Sequence, residues 1–239
     1  MKKLLSLIAI AAMALVFTAG NALADFSAGQ LIRVVYQDNG DVEMATALGS
    51  VSDLLGTNAN TVGGSVSLGN FAGADYSNLN VAYLVYGGGA NTTHYFSGET
   101  DVVPVTMPRK GTTVNANLAT VTSYYGTLGV DSAVGSQANV SSFAYRFGTD
   151  GLLADFYASG NAIANLADLA TVGYVDQVLY SFATPNSAAA GVAVATLRTA
   201  LVDGLAVTTV NPVTTPVPAS LLLFGSGLLG LVGVRRKSA

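Results

Sequence analysis

The chain has 239 residues, with ten basic against fourteen acidic side chains, no cysteine and no tryptophan. Without cysteine there can be no disulfide, thiolate metal site, cysteine nucleophile or lipid attached at an N-terminal cysteine. Only five basic residues (Arg33, Arg109, Lys110, Arg146, Arg198) lie between residues 25 and 215, beside all fourteen acidic ones; this body is at −9, so nucleic acid is not expected as a partner.

The chain opens with Lys2 and Lys3, an apolar run from Leu4 to Phe17, and the small residues Ala22 and Ala24 around Leu23. That order reads as a secretory signal peptide over residues 1–24, cut after Ala24. About 190 residues then precede the tail, enough for one domain of ordinary size or two small ones with a real core. The acidity of this body reads as a solvated, secreted surface.

Leu31–Tyr36 and Val42–Thr46 are β-branched runs on either side of Asp38-Asn39-Gly40-Asp41, which predicts a hairpin. Val51–Leu55 follows Ser50 as a short helical turn. Asn58–Ser77 reads as a short strand among Gly/Asn/Ser loops. Leu79–Tyr86 is a strand ended by Gly87-Gly88-Gly89, with Thr92–Phe96 as its partner. Val114, Leu118, Val121, Tyr125 and Leu128 recur at helical spacing and predict an amphipathic helix.

Ser142–Phe147 alternates as a strand, Leu152–Tyr157 fits strand or helix, and Ala162–Ala170 reads as helix. Tyr174–Phe182 is a strand with Val178, Tyr180 and Phe182 on one face. Thr184–Ser187 is a turn, and Gly191–Leu197 and Leu205–Val210 form a last pair of strands near Asp203-Gly204. Mainly β, an antiparallel β-sandwich with one or two short helices, is therefore expected for residues 25–210.

Candidate chemistry in this body is sparse. His94 is the single histidine, no Gly-x-Ser-x-Gly elbow supports a triad, and it reads as a solvated strand-end residue. Asp38, Asn39, Asp41 and Glu43 offer oxygen ligands of the kind calcium takes, but turn chemistry already explains them. Glu43 and Glu99 could make a glycosidase pair only if the fold joined them. Gly87-Gly88-Gly89 lacks the lysine of a phosphate loop. Tyr83, Tyr86, Tyr124, Tyr125, Tyr174 and Tyr180 could line a sugar-binding face, although Tyr83 and Tyr86 must point to opposite faces of their strand. No catalytic residue, metal or cofactor is assigned.

The end of the chain is the most specific feature. Residues 211–218 form a Pro/Thr linker holding Pro216, Val217 and Pro218. Ala219 and Ser220 lead into the apolar Leu221–Val234, and Arg235, Arg236 and Lys237 follow. As a helix the apolar segment spans ~21 Å of a ~30 Å hydrocarbon core. Snorkelling arginine and lysine stems lengthen it, so residues 219–239 are expected to be a C-terminal transmembrane helix with a cytoplasmic basic stop.

This tail, Thr215 to Lys237, resembles the PEP-CTERM sorting signal of Gram-negative bacteria. The family pattern is Val-Pro-Glu-Pro-Ala, an apolar helix rich in Leu and Gly, then arginines. Pro216, Pro218 and Ala219 match, while Val217 replaces the usual Glu and Thr215 the frequent Val. The resemblance implies a transient exosortase partner, processing near Pro216-Val217-Pro218 and a membrane anchor until then. It also implies a link to exopolysaccharide or biofilm, with exopolysaccharide a further partner, and glycosylation of the Ser/Thr-rich body. The expectation is an exported, non-enzymatic surface or matrix protein. The alternatives are a secreted hydrolase and a carbohydrate-binding protein with a temporary anchor.

Overall fold

A computed structural model describes residues 26–38, 40–56, 60–71, 74–89, 92–98, 111–148, 151–153, 163–182 and 191–211. The Leu152–Tyr157 and Thr184–Ser187 readings lie largely or wholly outside them, as does the expected transmembrane helix.

The first hairpin forms as the sequence predicts. β1 (Gln30–Gln37) pairs antiparallel with β2 (Val42–Ser50), and α1 (Val51–Leu55) follows at once. Gly40 is not at positive φ. It is needed for space, since a Cβ there would sit 2.8 Å from the Gln37 Cβ. β3 (Asn60–Val66), β4 (Leu79–Val85) and β5 (His94–Gly98) come next, then α2 (Gly111–Leu128). The later elements are β6 (Ser132–Ser136), α3 (Phe143–Phe147), β7 (Ala164–Asn165), α4 (Asp168–Thr171), β8 (Tyr174–Phe182), β9 (Val192–Val202) and β10 (Leu205–Val210). Asp203 and Gly204, at φ 52° and 78°, close the β9–β10 hairpin as a two-residue turn of the twist-compatible kind.

The strands do not divide into two sheets. They form one antiparallel sheet in the order β3-β10-β9-β8-β5-β4-β1-β2-β6, with β7 beside β4. The sheet curls, bringing side chains of β1 and β4 against β9 and β10, which are far away in strand order. Curling supplies the second covering layer that an apolar sheet face requires, so one sheet does what two were expected to do.

Each face has its own core. Inside the curl lie Leu31, Val35, Leu48, Val66, Val81, Val85, Leu179, Leu197 and Val210. On the outer face Ile32, Val34, Ala45, Ala82, Leu84, Phe96 and Phe182 meet Val114, Leu118, Val121 and Tyr125 of α2. Thr, Asn and Tyr give α2 a poor intrinsic propensity, so its packed stripe must hold it, at ~1.5–3 kcal/mol per buried side chain.

Three local readings are corrected. Ser142–Phe147 is not a strand: Ser142 Oγ accepts from the Tyr145 N–H at 3.0 Å and caps α3. Its alternating aromatics hid an i, i+4 pair, Phe143 and Phe147, whose rings lie 5.6 Å apart. The helix expected over Ala162–Ala170 is reduced to α4 after the two-residue β7. β6 was not anticipated, and its short, largely exposed run ends the sheet beside β2.

Candidate functional site

Two buried charged centres lie on opposite faces of the β1–β2 hairpin. Alternation along β2 sends Glu43 toward the helices and Thr46 into the curl. Glu43 is fully buried. Its Oε1 accepts from the Tyr125 hydroxyl at 2.8 Å and the Phe143 N–H at 3.0 Å, and its Oε2 from the Ala144 N–H at 2.8 Å. Burial pushes the carboxyl above its ordinary value, and the three donors oppose that. Burial and the adjoining carboxylate drive the Tyr125 hydroxyl well above its ordinary value. Glu43 thus fastens the start of α3 and one side of α2 to the sheet.

Inside the curl, fully buried Arg33 donates from Nη1 to Thr208 Oγ1 at 2.9 Å and to the Ala206 carbonyl at 3.4 Å. Its Nη2 reaches Thr46 Oγ1 at 3.4 Å. The Tyr83 hydroxyl lies 2.6 Å from Thr199 Oγ1 and 2.8 Å from Thr208 Oγ1. Burial lowers the arginine's value, and the neighbouring tyrosine raises it in part. This centre pins β1 and β4 to β9 and β10 and closes the curl.

Sequence reasoning missed both centres. The available signal was an arginine set in the middle of Leu31-Ile32-Arg33-Val34-Val35-Tyr36, a strand apolar on both sides.

The other sequence candidates fall apart in space. His94 is at the strand end expected of it, but it is buried rather than solvated. Its Nδ1 accepts the Gly87 N–H at 3.1 Å and its ring stacks on Tyr86 at 6.4 Å. That bond assigns the ring proton to Nε2, which has no hydrogen-bond partner among the described residues, and burial lowers the imidazole's value. Glu43 turns into the helix layer while Asp38 and Asp41 are exposed, so the three do not converge. Among the described residues no three histidine, aspartate or glutamate side chains are placed to hold a metal. Glu99 lies outside them.

The six tyrosines do not share a face. Tyr83, Tyr125 and Tyr180 are buried, Tyr86 and Tyr124 pack against the outer core, and exposed Tyr174 lies under the Arg198 guanidinium at 3.9 Å. Gly87 and Gly88 do make a turn: a Cβ on Gly87 would lie 2.3 Å from the Thr93 carbonyl oxygen, and Gly88 has φ 92°.

What remains is the sorting tail. Ala22, Ala24, Pro216, Val217, Pro218, Ala219, Arg235, Arg236 and Lys237 all lie outside the described residues. Among the described residues no helix is long and apolar enough to cross a membrane. The family model of the PEP-CTERM protein-sorting motif matches residues 214–237. The chain carries that motif, which implies exosortase processing, export and cell-surface sorting in Gram-negative bacteria. The match supports export and sorting of the chain by an exosortase. No curated protein and no solved structure matches the chain.

Proposed function

We propose that the chain is a non-enzymatic surface or matrix protein, held at the inner membrane by Leu221–Val234 until an exosortase cuts near Pro216-Val217-Pro218-Ala219. The observation that carries this is the motif match over residues 214–237. The two buried charged centres are engaged in holding layers together, and among the described residues the other sequence candidates do not converge. After release the body joins the cell surface or an exopolysaccharide matrix.

Each apolar CH₂ in the tail contributes on the order of 0.8 kcal/mol to anchoring, so the segment holds firmly until it is removed. Arg235, Arg236 and Lys237 stay cytoplasmic and fix its orientation. The test is fractionation with intact-mass analysis in an exosortase-positive host. Wild type should reach the surface or medium without Leu221–Lys237. Pro216→Ala combined with Pro218→Ala should remain in the membrane at full length. Release of that variant at the wild-type level would refute the role given to the prolines. A wild-type product that keeps its tail would refute processing.

A further inference from the structure

The sheet has two unlike ends, and the chain leaves toward one of them. The β1–β2 turn, the β9–β10 turn and the starts of β4 and β8 share one end. That end carries exposed Asp38, Asp41, Asp75, Asp168 and Asp203. Asp176 lies near it, bridged to Arg198 at 2.6 Å. The opposite end gathers the starts of β1, β5 and β9 and the ends of β2, β4 and β8. Among the described residues its exposed acids are Asp53 on α1 and, set back along β2, Asp131.

Both ends of the described chain emerge on this low-charge side. Residues 26–29 lead into β1 there, with the Gly29 N–H donating to the Tyr86 carbonyl at 2.8 Å. β10 runs toward the same side and stops at Val210, opposite Leu197. Asn211 ends the pairing: its N–H donates to the Thr196 carbonyl at 2.7 Å, and its Oδ1 accepts the Thr196 N–H at 3.1 Å. Its φ of 48° then turns the chain out of the ladder.

β9 continues five residues past Leu197 to Val192, ~17 Å at ~3.4 Å per residue. Val192 is 65% exposed, more than any other large apolar side chain among the described residues. Seven residues, 212–218, can span at most ~22 Å at the ~3.1 Å per residue of a Pro-rich chain. That reach exceeds the length of β9 beyond Leu197 by only ~5 Å.

We propose that the low-charge end, at Val192–Val194, faces and touches an anionic lipid surface while the tail is anchored, with the acidic end pointing away. The inference rests on the anchored-tail reading above. Charge decides the direction. With the low-charge end down, the acidic end stands ~35 Å off, about four screening lengths of ~8 Å in physiological salt. Inverted, five exposed carboxylates would lie within about one screening length of lipid phosphate.

The chain has no cysteine, so single-cysteine variants of the full protein take one label each. Val192→Cys probes the low-charge end, Val172→Cys, exposed beside α4, the acidic end, and Leu228→Cys the tail. Each carries a thiol-reactive fluorophore in vesicles of equal parts phosphatidylethanolamine and phosphatidylglycerol containing nitroxide-labelled lipid. The expected result is strong quenching at 228, and quenching at 192 several-fold above that at 172. Quenching at 228 with 172 equal to or above 192 would overturn the orientation while leaving the anchor intact. No quenching at 228 would overturn the anchor, and the orientation with it. In phosphatidylcholine vesicles the contrast between 192 and 172 should narrow, and an undiminished contrast would overturn the charge argument.

Discussion

Glu43 and Arg33 are buried charges on paired strands of one hairpin, yet they are held differently. Glu43 receives three hydrogen bonds, two of them from backbone N–H groups at the start of α3. Removing it takes away an acceptor that all three donors share. Arg33 donates chiefly to hydroxyls, and two of those, Tyr83 and Thr208, also bond each other at 2.8 Å. Removing it leaves a network that still closes. Burial opposes the charge of both groups. What distinguishes them is whether the neighbours depend on the charge.

That contrast predicts its largest effect at Glu43. Glu43→Ala removes the acceptor of three donors, two of them on buried residues, and opens a cavity, and should cost ~3–5 kcal/mol in urea unfolding. Glu43→Gln keeps an acceptor for some of them and should cost ~1–3 kcal/mol. Tyr125→Phe removes one donor and should cost ~1 kcal/mol. If Glu43→Ala proves no worse than Tyr125→Phe, the backbone bonds to α3 do not carry the load given to them here.

How much of this was legible in the sequence depends on how local the cause is. The hairpin at Asp203-Gly204 is a local pattern and appears as read; of the equally local stripe Val114, Leu118, Val121, Tyr125 and Leu128, all but the exposed Leu128 pack into the core. The sorting tail is local too, and its match needs no fold. α3 was misread because its decisive partner, Glu43, is a hundred residues away. The curl was misread as two sheets because its closing bonds, Arg33 to Thr208 and Tyr83 to Thr199, span 175 and 116 residues. His94 was placed correctly on a strand end, but nothing near it in sequence announced burial against Tyr86.

His94 sharpens the comparison through pH. Its folded value is lowered, so its contribution to stability is complete above the ordinary ~6.5 and is lost as pH falls from there through the folded value. Protonation of Nδ1 would also set a donor against the Gly87 N–H. Glu43 has the opposite sign. Its folded value is raised, so acidification from above that value toward the ordinary ~4.3 favours the folded form. His94→Asn keeps an acceptor near Gly87 and cannot titrate. Its unfolding midpoint should fall less than that of wild type as pH drops below ~6.5. Parallel curves for the two proteins would exclude His94 as the source of the slope.

The smallest effect should come from the more conspicuous residue. A buried arginine invites the view that it is indispensable, and cutting one partner of a buried ion pair does cost ~3–5 kcal/mol. The hydroxyls around Arg33 are not ionised partners, and Thr208, Thr199 and Tyr83 remain hydrogen-bonded to one another without it. Arg33→Met fills a similar volume and removes the desolvation that burial imposes on the guanidinium. What it forfeits includes the bond to the Ala206 carbonyl, long at 3.4 Å, and those to Thr208 and Thr46. The net change should therefore lie within ~1 kcal/mol of zero, of either sign. Urea unfolding of Arg33→Met beside Glu43→Ala measures the asymmetry directly. A loss at Arg33 as large as that at Glu43 would mean that the curl depends on the guanidinium charge itself and not on the hydroxyl network around it.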